Sequence, residues 1–271
     1  MLYIVGLPIG NLKDITLRAL ETLQSVDFIA CEDTRKTLIL LNHYSIKKPL
    51  IAYHKFNEQQ KSEEIVKLLL QGKTGALVSD SGMPLISDPG QILISKLIEN
   101  NLKYTVIPGP TASISALVLS GLSLQAFCFL GFLPEKQSAR KKLLNIYKNL
   151  PSTLVFYISP HSLEKDIAAI YEIFGARKAV LVKEITKVFE TAYHFVLGQE
   201  IDINEKGEFV LVVEGKQEAN EEQTPQDEAS LKDLVEKKMQ TEGITENQAI
   251  ALVAKENNIK KQELYKLLKA K

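Results

Sequence analysis

LYIVGLPIGNLKDITLRAL (2–20) decides the fold class. Its first four residues are an apolar run closed by Gly6, Pro8 and Gly10; Asp14 and Thr16 follow, and Leu17, Leu20 and Leu23 then recur at helical spacing. That pattern is strand, loop, helix. The unit repeats. FIAC (28–31) reads as a strand, 34–43 as a helix, LIAY (50–53) as a strand and 63–70 as a helix ended by Gly72. GALVS (75–79) reads as a buried strand, 91–99 as a helix and TVIP (105–108) as a strand. Strands alternating with helices imply a largely parallel sheet covered on both faces, so 1–110 is an α/β domain.

A second set follows, with helices at 112–120, 138–149 and 161–174 and strands at 127–132, 153–158, 179–184 and 208–214. Residues 111–215 therefore form a second α/β domain. KQEANEEQTPQDE (216–228) is acidic and has no aliphatic side chain larger than alanine, so it cannot bury enough surface to fold alone and reads as a linker. The lysine-rich stretch 229–271 carries leucines and isoleucines at helical spacing and reads as a small helical appendage, either a helix-turn-helix-like RNA contact, a dimer brace or a simple cap.

Composition narrows the partners. Lys+Arg and Asp+Glu both number 33, so any polyanion must be met by a local patch. Such a patch is SARKKLLNIYK (138–148), where Arg140, Lys141 and Lys142 cluster; phosphate binding and a solvated helix face explain it equally. Cys31 and Cys128 lie far apart with no CxxC and no clustered His, so neither a disulfide framework nor a metal site is legible, which fits a reducing, cytoplasmic compartment. MLYIVGLPIGN has no basic region ahead of its apolar residues and reads as a first strand rather than a secretory signal. The apolar stretch 114–133 is too broken by polar residues to span a membrane.

In an open α/β sheet the ligand site lies beyond the carboxyl ends of the strands. Three loops there are rich in Gly, Pro, Ser and Asp. GLPIGN (6–11) lacks the GxGxxG spacing of a dinucleotide fingerprint, and a tight turn is its plain reading. SDSGMPLISDPG (79–90) holds two Ser-Asp pairs and two prolines, a segment costly to order unless it shapes a site. Asp80 there is placed to accept a hydrogen bond, and Gly82 lets backbone approach a ligand closely; an Asx turn is the structural alternative. IPGPTAS (107–113) puts Thr111 at the head of a helix, where it could be an N-cap and nothing more. Converging on one rim, the three loops make a polar but uncharged lining suited to a ligand held by backbone groups. CEDTRK (31–36), with Asp33 and Arg35, is either an acid-base group or a helix start, and VKEITK (182–187) places Lys183 and Glu184 after a buried strand.

The order LYIVGLPIGNLKDITLRAL, FIACEDTRKT, YHKFNE, ALVSDSGMPLISDPG, VIPGPTAS, FLGFLPEK, FYISPHSL, VKEITK and GEFVLVVEG closely resembles the ribosomal RNA small-subunit methyltransferase I group of the tetrapyrrole methylase (class III) superfamily, over about residues 1–215. The resemblance implies two α/β domains with S-adenosylmethionine in the cleft between them, a homodimer, and methyl transfer to a ribose 2′-hydroxyl of a cytidine in the decoding region of 16S rRNA, with free rRNA or the small ribosomal subunit as partner. It also implies cofactor contacts at Ile9, Asp80, Met83, Thr111, Ala112, Ile158 and Ile185. Two motifs depart from the group: FYISPHS stands where FYESPHR is usual, and SDSGMP where SDAGTP is usual.

A ribose hydroxyl is a poor nucleophile at neutral pH, so a group in the cleft should take its proton. Asp33, Glu184 and Lys183 are the candidates, with Arg35 on a phosphate. The competing readings are a methyltransferase of the same superfamily acting on a tetrapyrrole or another small molecule, and a noncatalytic RNA-binding or ribosome-assembly module.

Overall fold

The computed structural model describes residues 1–204, 206–217, 228–256 and 260–269. The first five strands, β1 (Leu2–Val5), β2 (Phe28–Cys31), β3 (Leu50–Ala52), β4 (Gly75–Leu77) and β5 (Tyr104–Ile107), form one sheet in the order β3-β2-β4-β1-β5. Every pairing in it is parallel. Helices α1 (Leu17–Ser25) and α2 (Thr34–His43) cover one face, and α3 (Glu58–Leu70) and α4 (Gln91–Glu99) the other. Side chains alternate along a strand, so Ile29 and Cys31 pack under Leu23 and Leu41 while Phe28 and Ala30 pack under Ile65 and Leu97. Strands buried on both sides must be apolar at nearly every position, which is why the interior strands β1, β2 and β4 read as unbroken apolar runs.

The helix starts are set by local chemistry. Thr16 Oγ1 accepts from Ala19 N–H at 3.1 Å, and Asp33 Oδ1 accepts from Arg35 N–H at 2.9 Å, each satisfying an orphan donor of the first turn. The sequence places α3 at 63–70, but it begins at Glu58. Its first turn is polar and carries no apolar periodicity, and it is fixed instead by Tyr53 Oη donating to Glu58 Oε1 at 3.0 Å.

The second sheet comprises β6 (Phe127–Phe132), β7 (Thr153–Ile158), β8 (Lys178–Lys183), β9 (Thr191–Val196) and β10 (Phe209–Val213), ordered β6-β7-β10-β8-β9. Only β6 and β7, joined through α6 (Gln137–Tyr147), are parallel; the remaining pairs are antiparallel. Helix α5 (Ala112–Ser120) packs Ala116 and Leu117 against Val155, Val180 and Val210 on one face. On the other, α6 and α7 (Leu163–Phe174) pack Leu144, Ile170 and Phe174 against Phe156, Leu181 and Leu211. Strand β9 is absent from the sequence reading. It is an edge strand whose exposed Thr191, Ala192 and His194 interrupt the apolar run that marks its buried neighbours.

Both sheets lie in one compact unit, Met1–Lys216, and α5, which opens the segment after residue 110, packs on the second sheet. A second unit, Gln217–Lys271, holds α8 (Glu228–Glu242), α9 (Glu246–Glu256) and α10 (Lys261–Lys269) around Leu231, Val235, Ile250, Val253 and Leu264. Most of the acidic linker, 218–227, lies outside the described residues. Among the described residues no helix is long and apolar enough to cross a membrane.

Candidate active site

All five strands of the parallel sheet deliver their following loops to one rim, and the backbone stitches three of these loops together. Gly6 N–H donates to Ile107 O at 3.0 Å, and Leu7 N–H donates to Gly82 O at 2.8 Å. The loops after β1 and β5 touch backbone to backbone: a β-carbon on Gly6 would stand 2.8 Å from Gly109 Cα, and one on Gly109 would stand 2.9 Å from Gly6 Cα. No side chain fits at either position. Gly82 adopts φ 73°, a left-handed conformation that glycine takes without penalty.

Between this rim and the second sheet is a cavity of about 320 Å³, within the size range of small-molecule sites. The rim contributes Ile9, Gly82, Met83, Asp88, Thr111 and Ala112. The second sheet closes it with Phe132, Tyr157, Ile158, Ile185, Glu208 and Val210. The two halves meet at small residues. A β-carbon on Gly10 would strike Lys187 and Ile185 O, and Gly131, at a register shift of β6 with φ 64°, leaves room for Ser87 Oγ.

Of the residues assigned to the cofactor from sequence, Ile9, Gly82, Met83, Thr111, Ala112, Ile158 and Ile185 line this one cavity. Asp80 does not. Its carboxylate accepts from Asp33 N–H at 3.1 Å and from Lys36 Nζ at 2.8 Å, tying the loop after β4 to the start of α2.

None of the four residues expected to assist catalysis lines the cavity. Asp33 caps α2 and forms a two-point pair with Arg35, Nε to Oδ1 at 3.0 Å and Nη2 to Oδ2 at 2.7 Å. Hydrogen bonds from the Arg35 guanidinium and backbone hold the Asp33 carboxyl well below the usual range. Lys183 belongs to the opposite face of its sheet: Val180 and Val182 point toward α5, so Ala179, Leu181 and Lys183 point toward α7. There its ammonium donates to Asn204 O at 2.8 Å and sits over the Phe209 ring. Burial would raise the Glu184 carboxyl, but Glu208 N–H at 2.8 Å and Lys187 Nζ at 3.0 Å outweigh it and hold it low. Asp33 and Glu184 are thus stabilised as carboxylates, and a carboxylate so stabilised is a weak base.

The basic patch is also reassigned. Arg140 is only 3% exposed; it donates to Pro134 O at 3.1 Å and lies 3.3 Å from Asp166, so it is a core residue and not an RNA contact. Its position on the α6 stripe that includes Leu144 drew it inward. Lys141 pairs with Glu172, and Lys142 is exposed. His54 is held by Asn57 in its own loop, away from the cavity.

Sequence reasoning passed over Asp88 and Tyr157. Burial, reinforced by the negative charge of Glu32, pushes the Asp88 carboxyl up to about 6. Burial likewise raises the Tyr157 hydroxyl, whose ring meets Phe129 at 4.8 Å and Phe132 at 5.4 Å. The signal for Asp88 was its place in the second Ser-Asp pair of the loop 79–90.

Comparison with known proteins places this architecture. Residues 1–200 match the family described as Tetrapyrrole (Corrin/Porphyrin) Methylases. The chain is 46% identical to Ribosomal RNA small subunit methyltransferase I of Vibrio cholerae serotype O1, an alignment covering 98% of this chain and 93% of that protein. It is 39% identical to the protein of the same name from Bacillus subtilis strain 168, over 98% of this chain and 92% of that one. Among solved structures, the methyltransferase CobJ superposes with a TM-score of 0.62 at 16% identity, covering 79% of this chain and 93% of that chain. Diphthine synthase gives 0.58 at 15% identity, covering 80% and 90%. These last two show the shared fold. Matched by its family over residues 1–200 and by these relatives over nearly its whole length, the chain belongs to the tetrapyrrole methylase family, in the ribosomal RNA small subunit methyltransferase I group.

Proposed function

We propose that the chain transfers a methyl group from S-adenosylmethionine to 16S rRNA in the small ribosomal subunit, at the ribose 2′-hydroxyl of a cytidine in the decoding region. The observation that carries this reading is the similarity over nearly the whole chain to rRNA small subunit methyltransferases, coupled to a single cavity that gathers six of the residues the family pattern assigns to the cofactor.

The cavity's chemistry suits that cofactor. Ile9, Met83, Ile158 and Ile185 offer apolar surface for a nucleoside, and the bare backbone at Gly82 admits close polar contact. Glu208, an acid in the cavity wall, matches the ammonium of the cofactor's amino-acid portion. When bound, S-adenosylmethionine supplies an activated methyl that passes from sulfur to the acceptor oxygen, the S–C electron pair returning to sulfur. The protein's own work is to hold the hydroxyl in line and to receive its proton. Asp80 fixes the loop that carries Gly82 and Met83.

No lysine or arginine is among the described residues that line the cavity. A tetrapyrrole substrate bearing many carboxylates would need cations there, so the lining favours a sugar hydroxyl over a polycarboxylate. The cations stand outside instead: Arg35 and Lys36 project exposed from the start of α2 on the same rim, positioned for phosphates. We also assign a homodimer and a cytoplasmic location. The edge strands β5 and β6 leave Tyr104, Val106 and Phe127 exposed beside Ile114, Val118 and Leu119 of α5, an apolar surface suited to a second copy.

Incubating the protein with methyl-labelled cofactor and either small subunits or tetrapyrrole precursors tests the reading. Label in 16S rRNA is expected; label confined to the tetrapyrroles would overturn it.

A further inference from the structure

We propose that Asp88 is the catalytic residue that takes the proton from the acceptor hydroxyl as the new C–O bond forms. The proposal rests on the methyl-transfer reading above and replaces the acids that sequence alone suggested. In the balanced step the hydroxyl oxygen bonds the methyl carbon, the S–C bond breaks with its electrons kept by sulfur, and the hydroxyl proton passes to a carboxylate oxygen of Asp88.

Four observations converge on this residue. First, Asp88 lines the cavity, which Asp33, Lys183 and Glu184 do not. Second, its carboxylate is held apart from cations. Lys36 is engaged by Asp80, Arg35 by Asp33, and Lys187 by Glu184 and Glu208, while among the described residues no Lys, Arg or His lies within ion-pair distance of Asp88. Glu208, the other acid in the wall, is largely exposed and already accepts from Lys187 Nζ at 2.9 Å.

Third, the loop is built to aim Asp88. Leu85 and Ser87 both have φ 70°, a conformation that is an outlier for a bulky residue such as leucine. Strain of this kind persists only where the surroundings over-determine it, and it concentrates at functional sites. Both ends of the loop are pinned. Ser79 Oγ donates to Ser81 O at 3.1 Å and Leu7 N–H to Gly82 O at 2.8 Å; beyond Asp88, Glu58 Oε1 accepts from Gly90 N–H at 2.8 Å and Ile92 N–H at 3.2 Å.

Fourth, its neighbours favour accepting a proton. Burial and the charges of Glu32 and Asp80 raise the carboxyl to about 6, with the Ser79 hydroxyl pulling the other way. Tyr157, across the cavity, is shifted up and stays protonated, so it cannot serve. A base with a pKa near the working pH combines a populated charged form with real proton affinity.

The test uses Asp88→Asn and Asp88→Glu in the full chain, with three readouts: methyl transfer to small subunits against pH, cofactor affinity by calorimetry, and the carboxyl carbon shift of Asp88 in the free enzyme by NMR. Wild type is expected to lose kcat/KM below about pH 6, in step with the NMR titration. Asn should lower kcat by about 100-fold or more and abolish that limb, with cofactor Kd and the KM for subunits little changed; Glu should recover part of the rate with a displaced limb. An Asn variant that keeps wild-type kcat and its acid limb overturns the assignment, as does an Asp88 that titrates in the ordinary carboxylate range. If Asn lowers cofactor affinity as much as kcat, Asp88 is a binding residue and the assignment also falls. A wild-type enzyme that labels no rRNA defeats the underlying reading instead, a result separable because it precedes any variant.

Discussion

Gly6 and Gly109 pass so closely that a β-carbon on either would stand within 3 Å of the other's backbone. The loops after β1 and β5 can therefore meet only as bare backbone, and this contact sets the floor beneath Ile9, Thr111 and Ala112. The clash at Gly6 also includes the Met83 sulfur, at 2.6 Å. Gly109→Ala should destabilise the chain by roughly 1–3 kcal/mol, toward the upper end because a backbone has no rotamer through which to yield. Denaturant unfolding measures the loss, and calorimetry should show weakened cofactor binding alongside it. Gly72, whose added β-carbon meets nothing within 4 Å, is a control for the crowding, though not for its φ of 85°.

The raised carboxyl of Asp88 makes a separate prediction about stability. Its value of about 6 lies above the ordinary 3.8, so the folded chain binds this proton more tightly than the unfolded chain. The stabilisation is complete below about pH 4 and is lost as pH rises through 6. Above that, the ionised group costs stability, which asparagine would not. Asp88→Asn should be more stable than wild type at pH 7 by roughly 1–2 kcal/mol, after allowing for solvent screening, and the difference should shrink as the pH falls toward 4. Paired denaturation curves at the two pH values check both the sign and the window.

Arg140 carries a third. Its guanidinium lies 3.3 Å from Asp166, both nearly fully buried, and Ser162 Oγ donates to the other Asp166 oxygen at 2.6 Å. Removing one partner leaves a buried charge uncompensated, so Arg140→Ala should cost about 3–5 kcal/mol. Lys142→Ala, at an exposed position just over half a turn away, should stay within about 0.5 kcal/mol. Thermal or chemical unfolding separates the two, and equal small effects would refute the core assignment.

The apolar face makes a fourth. Val118 and Phe127 are exposed on α5 and β6 in the single chain. If a second copy covers them, Val118→Glu should shift the protein toward monomer in sedimentation at micromolar concentration with little loss of monomer fold. An unchanged sedimentation profile would place the dimer contact elsewhere.

The parallel sheet was legible because burial on both faces leaves its interior strands no choice but to be apolar, and because Gly and Pro punctuate the loops after β1, β4 and β5. Strand β9 was hidden by the opposite circumstance: as an edge strand its half-exposed alternation of Tyr193 and Phe195 with His194 resembles a loop more than a buried run. That Ile9, Met83, Ile158 and Ile185 share one cavity was legible through the family resemblance, whose motifs place them after strands of the two sheets. Proton chemistry was not. Asp80 and Asp88 have the same local sequence, Ser-Asp, yet one meets Lys36 and the other faces the cavity beside further acids, a difference made by residues distant in the chain. Arg140 misled for a related reason: charge marks a surface only when the helix face it sits on is turned outward.

Mapping ribose methylation in 16S rRNA after incubating small subunits that lack the modification with the purified protein and S-adenosylmethionine tests the central claim most directly. The account predicts a single new 2′-O-methylcytidine in the decoding region, absent when cofactor is omitted. Methylation of a base instead of the ribose, or no methylation of the rRNA by protein that binds the cofactor, would contradict it.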